Sequence, residues 1–179
     1  MKDFIKVSNE VYYADTPIIK IENHDMVFLK NHVKDTEKKR IRICTHLNEQ
    51  DSLHEMFIVL SKETYIRPHK HFDKSESLHV IEGSADVVFF NDEGIIIDIF
   101  SLSHYSPQSS FYYRINKPIY HTLVVNTDYF IFHETTKGPF NKSDTRIAPW
   151  SPEEKNNIEV KRFMLTLNQS IKNFFSNIK

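Results

Sequence analysis

Pro68-His69-Lys70-His71-Phe72-Asp73-Lys74-Ser75-Glu76, with Gly83 closing the apolar run that follows, is the stretch that decides how this chain is read. His69 and His71 are two apart, so on a β-strand their side chains point to the same face. A short polar loop leads to Glu76, and the spacing predicts that the site spans two adjacent strands. One further histidine, His121, stands at the head of another apolar run. Three imidazoles and one carboxylate are the donor set of a divalent transition metal.

Histidine spacing alone is weak support. The chain has 10 histidines in 179 residues, and two solvated histidines on an exposed strand would produce the same pair. Glu76 and Gly83 at fixed distances separate the two readings, because chance does not readily supply all four positions.

Composition bounds the rest. A length of 179 residues suits one domain or one domain with an appendage. Hydrophobic residues make up 40% and aromatic residues 13%, enough for a sizeable core. The formal net charge of −1 gives no single-sign field aimed at nucleic acid or an acidic membrane surface. A single cysteine, Cys44, excludes a disulfide framework and fits a reducing compartment. Met1-Lys2-Asp3-Phe4-Ile5-Lys6 lacks a signal-peptide core, and no apolar run is long enough to span a membrane. The expected location is the cytoplasm.

Outward from the histidines, the chain reads as strands. Val11-Tyr12-Tyr13 and Ile18-Ile19-Lys20-Ile21 read as short strands of an N-terminal arm over 1–40, and the polar 31–40 as a loop or helical turn. From Ile41 the β signal is dense. Ile41, Ile43, Thr45 and Leu47 alternate with Arg42, Cys44 and His46. Met56 to Leu60, Tyr65 to His71, Ser77 to Phe90, Ile95 to Leu102, Phe111 to Ile115, His121 to Asn126 and Tyr129 to Thr135 follow. Asn91-Asp92-Glu93-Gly94 is a hairpin signal, and 103–109 a loop. Short strands at regular spacing, without helices between them, predict an all-β sandwich or barrel over 41–150. Gly83, Gly94 and Gly138 each fall where a strand bends or stops, the positions at which positive φ is expected. The tail, 151–179, predicts an amphipathic α-helix over roughly 152–177. Ser151, Pro152 and Glu154 form a capping-box pattern there. Val160, Phe163, Met164, Leu167, Ile171, Phe174, Phe175 and Ile178 form its apolar stripe, which must pack on the barrel or on a second subunit.

The pattern P-H-x-H-x4-E-x6-G resembles the first motif of the cupin superfamily, and His121-Thr122-Leu123-Val124-Val125-Asn126 resembles its second. Pro118 stands where that second motif carries glycine, and Asn126 comes one residue late. The resemblance implies a cupin jelly-roll β-barrel with metal ligands His69, His71, Glu76 and His121. A narrower resemblance runs through Arg42-x-Cys44-x-His46, His54-Glu55-Met56 and Phe111-Tyr112-Tyr113-Arg114. It continues through Tyr120-His121-Thr122, the stretch His133 to Phe140, and Ala148-Pro149-Trp150-Ser151-Pro152. Together these are similar to the WbuC-type cupin metalloproteins, which occur among O-antigen and surface-polysaccharide genes. That similarity implies a metal and a lipopolysaccharide or surface-polysaccharide pathway, not a substrate.

The other polar residues have two readings each. Arg42, Cys44 and His46 line a pocket if their strand face is interior, and otherwise form an exposed polar face. Arg67 shares the alternation of His69 and His71. It either points into the same cavity, where it suits a carboxylate or phosphate, or makes a salt bridge at the barrel rim. Glu55 and Glu134 are the candidate general acid–base residues, or partners of Arg42 or Arg114 in ion pairs. Tyr113, Arg114 and His133 are further candidate pocket residues. Cys44 by default is a buried small hydrophobe.

Coordination number separates the metals. Four protein ligands close a tetrahedral zinc site, whereas octahedral Fe, Mn, Co or Ni keeps two positions open for substrate oxygens. Three functions follow. One is a metal-dependent isomerase or epimerase of a sugar or sugar nucleotide. Another is an Fe-dependent dioxygenase or decarboxylase. The last is a non-catalytic saccharide- or metabolite-binding cupin. A homodimer is expected, with no nucleic acid partner.

Overall fold

Two β-sheets face each other, and every strand of the barrel from Leu53 to Lys137 pairs antiparallel with its neighbours. The computed structural model describes residues 4–107 and 109–177. Met1-Lys2-Asp3 and Ile178, the last apolar position of the predicted helix stripe, lie outside the described residues.

The strands are β1 (Phe4–Lys6), β2 (Val11–Ala14), β3 (Arg40–Cys44), β4 (Leu53–Ser61), β5 (His69–His71) and β6 (Glu76–Glu82). They continue as β7 (Ser84–Phe90), β8 (Ile96–Ser103), β9 (Tyr112–Ile115), β10 (Tyr120–Val125), β11 (Tyr129–Lys137) and β12 (Thr145–Ile147). Two α-helices, α1 (Asn23–Val33) and α2 (Asn157–Asn177), flank them. One sheet runs β1-β2-β3-β4-β11-β6-β9 and the other β12-β5-β10-β7-β8. The eight strands β4 to β11 therefore split as β4-β11-β6-β9 against β5-β10-β7-β8. That interleaving of two Greek keys is the jelly roll, the architecture of cupin barrels.

Three apolar layers explain why so many strands read as continuous apolar runs. The central layer packs Leu60, Leu78, Phe130 and Phe132 of one sheet against Val87, Phe89, Leu123 and Val125 of the other. Outside the first sheet, Met26, Leu29 and Val33 of α1 cover Ile41, Ile43, Val59 and Ile131. Outside the second, Leu167 and Ile171 of α2, flanked by Phe163, Met164, Phe174 and Phe175, cover Val88, Phe90, Ile99 and Val124. Both faces of β10 are thus covered, and all six of its residues are buried. Leu29 and Val33 are fully buried, and each such side chain stabilises the fold by about 1.5–3 kcal/mol.

Several expectations change. Ile18 to Ile21 form no strand, and the helix α1 starts just after them. Its Met26, Leu29 and Val33 fall at helical spacing onto one face. Residues 31–40 hold the end of that helix and a turn that enters β3. The arm adds to the edge of its own sheet, with β2 parallel to β3. α2 begins at Asn157 rather than near 152. The residues of the predicted capping box are engaged elsewhere. Ser151 Oγ donates to Ala148 O (2.7 Å), and Glu154 pairs with Lys38 and Arg40. The apolar stripe of α2 packs on the protein's own barrel. Gly83 and Gly94 both adopt φ +84°, but Gly138 is not at positive φ.

Candidate metal centre

His69 and His71 lie on β5, and antiparallel pairing sets His121 of β10 directly opposite His69. Cross-strand partners of this kind bring side chains into contact. Glu76 arrives from the other sheet, as the first residue of β6. The two strands that carry the motif are therefore successive in sequence but belong to facing sheets, not adjacent in one sheet as the spacing predicts. The loop between them carries Asp73 at φ 52°, a conformation that Asp tolerates better than most residues. This crossing closes the site: three imidazoles on one wall meet a carboxylate from the other.

The geometry is convergent. One ligand atom from each of His69, His71 and His121 falls within 4.8 Å of the others. Glu76 Oε1 lies 2.8 Å from His121 Nε2, and Glu76 Oε2 lies 3.1 Å from His71 Nε2. The outward nitrogens are all engaged. His69 Nδ1 lies 2.9 Å from Arg67 O, His121 Nδ1 lies 3.0 Å from Ile119 O, and His71 Nδ1 lies 2.9 Å from Thr145 Oγ1. A carbonyl oxygen can only accept, so Nδ1 of His69 and of His121 carries the proton. Nε2 of His69 is thereby left to present a lone pair to the centre, the tautomer that metal-ligating histidines need. Nε2 of His121 donates to Glu76 without a metal, and would present its lone pair likewise once a metal took the place of that proton. The residues present thus fit a transition metal.

Electrostatics agree with the geometry. Burial, with His121 and His71 alongside, pushes His69 down to about 3, so its imidazole is neutral. Burial alone would raise Glu76, but hydrogen bonds and charge from His121 and His71 hold it well below the usual carboxylate range. His121 moves the other way, raised by Glu76 against the effect of burial.

The cluster lies in a cavity of about 820 Å³ between the sheets. Arg42, Cys44 and His46 line it, as do Glu134 and Tyr113. The strand register explains their inward direction. Glu134 pairs with Met56 on one side and Leu78 on the other, and Leu78 pairs with Tyr113. Alternation gives these residues the face of Glu76. Glu134 is pushed up to about 7 by burial and by Glu76, partly offset by Lys74 and Arg42. Tyr113 is raised well above 10.0 by burial and by the two carboxylates, so it keeps its phenolic proton. Cys44 is buried and its thiol is raised.

The same alternation sends other candidates away. Glu55 neighbours Met56 and so faces outward, where its carboxylate lies 3.6 Å from His133 Nε2. His133 shares that outer face and packs on Phe57. Neither lines the cavity. Arg114 is exposed and donates to Asn116 Oδ1 (2.7 Å) and Ser75 Oγ (3.0 Å). Arg67 borders the cavity, but its guanidinium donates to Ser151 Oγ (3.0 Å) and Ser151 O (2.9 Å), tying the chain before α2 to the barrel. His54 and Lys74 are lining residues that the sequence did not single out as site candidates. His54 is buried and stacks on His46 with ring centres 4.0 Å apart. Lys74 sits in the loop between β5 and β6. The inward period-2 position of His54, two before Met56, was the available signal for it.

A family model described as "Domain of unknown function (DUF6016)" matches residues 21–102. No curated protein matches the chain. Similar solved structures include protein SO0799 from Shewanella oneidensis (12% identity, 57% of this chain and 66% of that one, TM-score 0.48). Another is oxalate decarboxylase from Bacillus subtilis (17% identity, 55% of this chain and 24% of that one, TM-score 0.44). A third is procruciferin, an 11S globulin from Brassica napus (16% identity, 54% and 22%, TM-score 0.42). The matched part of this chain thus spans at most 66% of the length of these three. No helix among the described residues is long and apolar enough to cross a membrane.

Proposed function

We propose that the chain is a metal-dependent cupin enzyme in which His69, His71, Glu76 and His121 hold a divalent transition metal and Glu134 moves a proton. One observation carries the reading: three imidazole nitrogens and a carboxylate converge from facing sheets on one point of a polar-lined cavity. Fe, Mn, Co or Ni suits a catalytic role, because four protein ligands leave two positions open in octahedral geometry, whereas tetrahedral Zn would be closed. When bound, such a metal supplies Lewis acidity to a substrate oxygen.

The chain's own residues supply the remainder. Glu134, buried in the cavity wall beside Glu76, is placed to take and return a proton, as a general acid–base residue must. Tyr113 stays protonated beside it and can donate a hydrogen bond to a substrate oxygen. Leu78, Leu123 and Phe132 line the same cavity and exclude water around these groups. The chemistry that fits is isomerisation or epimerisation next to a carbonyl of a sugar or sugar nucleotide. The similarity to WbuC-type cupins supports a step in O-antigen or surface-polysaccharide biosynthesis, in the cytoplasm and as a homodimer.

The test has two stages. Metal content of the purified protein is measured first, with His69→Ala/His71→Ala expected to hold none. The metal-loaded protein is then incubated in D2O with aldoses, ketoses and nucleotide sugars, and deuterium incorporation is read by NMR. Glu134→Gln is expected to abolish incorporation. Incorporation that survives metal removal overturns the proposal.

A further inference from the structure

Three of the seven cations that border the cavity have partners. Lys38 and Arg40 pair with Glu154 at 3.2 and 3.4 Å. Arg67 is held by Ser151. Lys142 and Lys155 are exposed. The exposed Arg42 and the half-buried Lys74 also line the cavity, and among the described residues neither makes a salt bridge; unlike Lys142 and Lys155, both bear on Glu134. Arg42 comes from the inward face of β3 and Lys74 from the β5–β6 loop, two residues before Glu76. Their positive fields converge on Glu134. Around the guanidinium of Arg42 stand the Cys44 thiol, the Tyr13 phenol and the His46 ring. Cys44 and Tyr13 hold their protons, with both groups raised by burial, so neither supplies Arg42 with a counter-charge. A guanidinium has five N–H donors in a planar fork that matches an oxyanion.

We infer that Arg42 and Lys74 form an oxyanion subsite that takes a carboxylate or phosphate of the substrate while the carbon framework attached to it reaches the histidine cluster. The orientation of the substrate rests on the metal-centred reading above; the anion subsite itself does not. Arg67 stands nearer the histidines in sequence, but its guanidinium is held toward Ser151 through Nε and Nη2. A cavity of about 820 Å³ falls within the size range of small-molecule sites, with room for a sugar phosphate or sugar acid. An anion on Arg42 and Lys74 would sit beside Glu134, so proton transfer would occur on a carbon close to the anionic group.

Calorimetric titration with inorganic phosphate and, separately, acetate tests this on the full chain, metal-loaded and metal-free. At least one anion is expected to bind. Arg42→Gln and Lys74→Gln should each weaken that binding about tenfold or more, and Arg40→Gln should leave it within about twofold, since Arg40 is already paired. Binding of phosphate alone identifies a phosphate ester as the substrate class, binding of acetate alone a carboxylate, and both support the subsite. Metal content and unfolding midpoints establish that each variant is folded; should Arg42→Gln fail to fold, Lys74→Gln carries the test. Normal metal loading with no anion binding, or with binding indifferent to both substitutions, overturns the subsite and leaves the metal reading intact. Arg42-dependent phosphate binding in a protein that holds no metal does the reverse.

Discussion

Thr145 Oγ1 lies 2.9 Å from His71 Nδ1, across the β5–β12 pair that sets the two residues opposite each other. The other two histidines are steered by backbone carbonyls, so this is the one steering contact that a side-chain substitution can remove. Thr145→Val keeps the shape and deletes the hydroxyl. Loss of such a contact lowers metal affinity about 10–100-fold, and competition with a fluorescent chelator will read it. Unchanged affinity would mean that His71 is positioned without Thr145 or does not bind the metal.

Glu134 makes a pH prediction for the metal-free protein. Its carboxyl is raised from 4.5 to about 7 in the folded state, so the folded chain holds this proton where the unfolded chain has released it. Stability must then fall as pH rises from about 4.5 to about 7. The neutral histidines act in the opposite sense: His69, His46 and His133 are lowered, mainly by burial. Comparison of wild type with Glu134→Gln cancels the contribution of these three, none of which Glu134 shifts. Urea unfolding across this range should show the variant gaining on the wild type as pH rises and levelling off above about pH 7. A difference independent of pH would place Glu134 in a far wetter setting than the cavity wall.

How legible these features were depended on whether the signal was local. The spacing of His69, His71, Glu76 and Gly83 is a property of two strands and one turn, and the barrel and ligand cluster could be read from it. Whether Glu55 or Glu134 faces inward depends on register alone, because a one-residue offset reverses the face. Met56 and Leu78 decide it, as cross-strand partners of Glu134, and no short stretch of sequence contains that pairing. Arg67 borders the cavity as its alternation with His69 and His71 predicts, although β5 begins only at His69, but its bonds to Ser151 depend on a tertiary partner 84 residues away that no local spacing reveals. The Ser151-Pro152-Glu154 pattern has the composition of a cap, but Ser151 and Glu154 have tertiary partners. Helix α1 escaped because Asn23, His24, Lys30, Asn31 and His32 interrupt its apolar positions, and its apolar face became evident only against the sheet it covers.

Gly138 is required for space rather than for dihedral freedom. A Cβ there would lie 1.9 Å from Asp51 O and 2.7 Å from two atoms of the His54 ring. Its backbone N–H also donates to Ser52 O (2.9 Å), so the segment cannot simply retreat. Gly138→Ala should cost about 1–3 kcal/mol, the usual range for overpacking. Because His54 stacks on His46 in the cavity wall, the substitution should also weaken phosphate binding. Chemical denaturation and anion titration read the two effects separately, and wild-type values in both would refute the close approach.

Leu167 and Leu165 are two residues apart on α2 and should respond very differently to substitution. Leu167 is 4% exposed and packs in the layer with Val88, Phe90 and Val124, whereas Leu165 is 73% exposed. Leu167→Ala removes buried apolar volume and leaves a cavity, at a cost of about 2–5 kcal/mol. Leu165→Ala should stay within about 0.5 kcal/mol of wild type. Urea denaturation of the two variants under identical conditions makes the comparison. A large loss at Leu165 together with a concentration-dependent midpoint would mean that a second subunit covers that face of the helix. A small loss at Leu167 would mean that α2 does not dock on its own barrel.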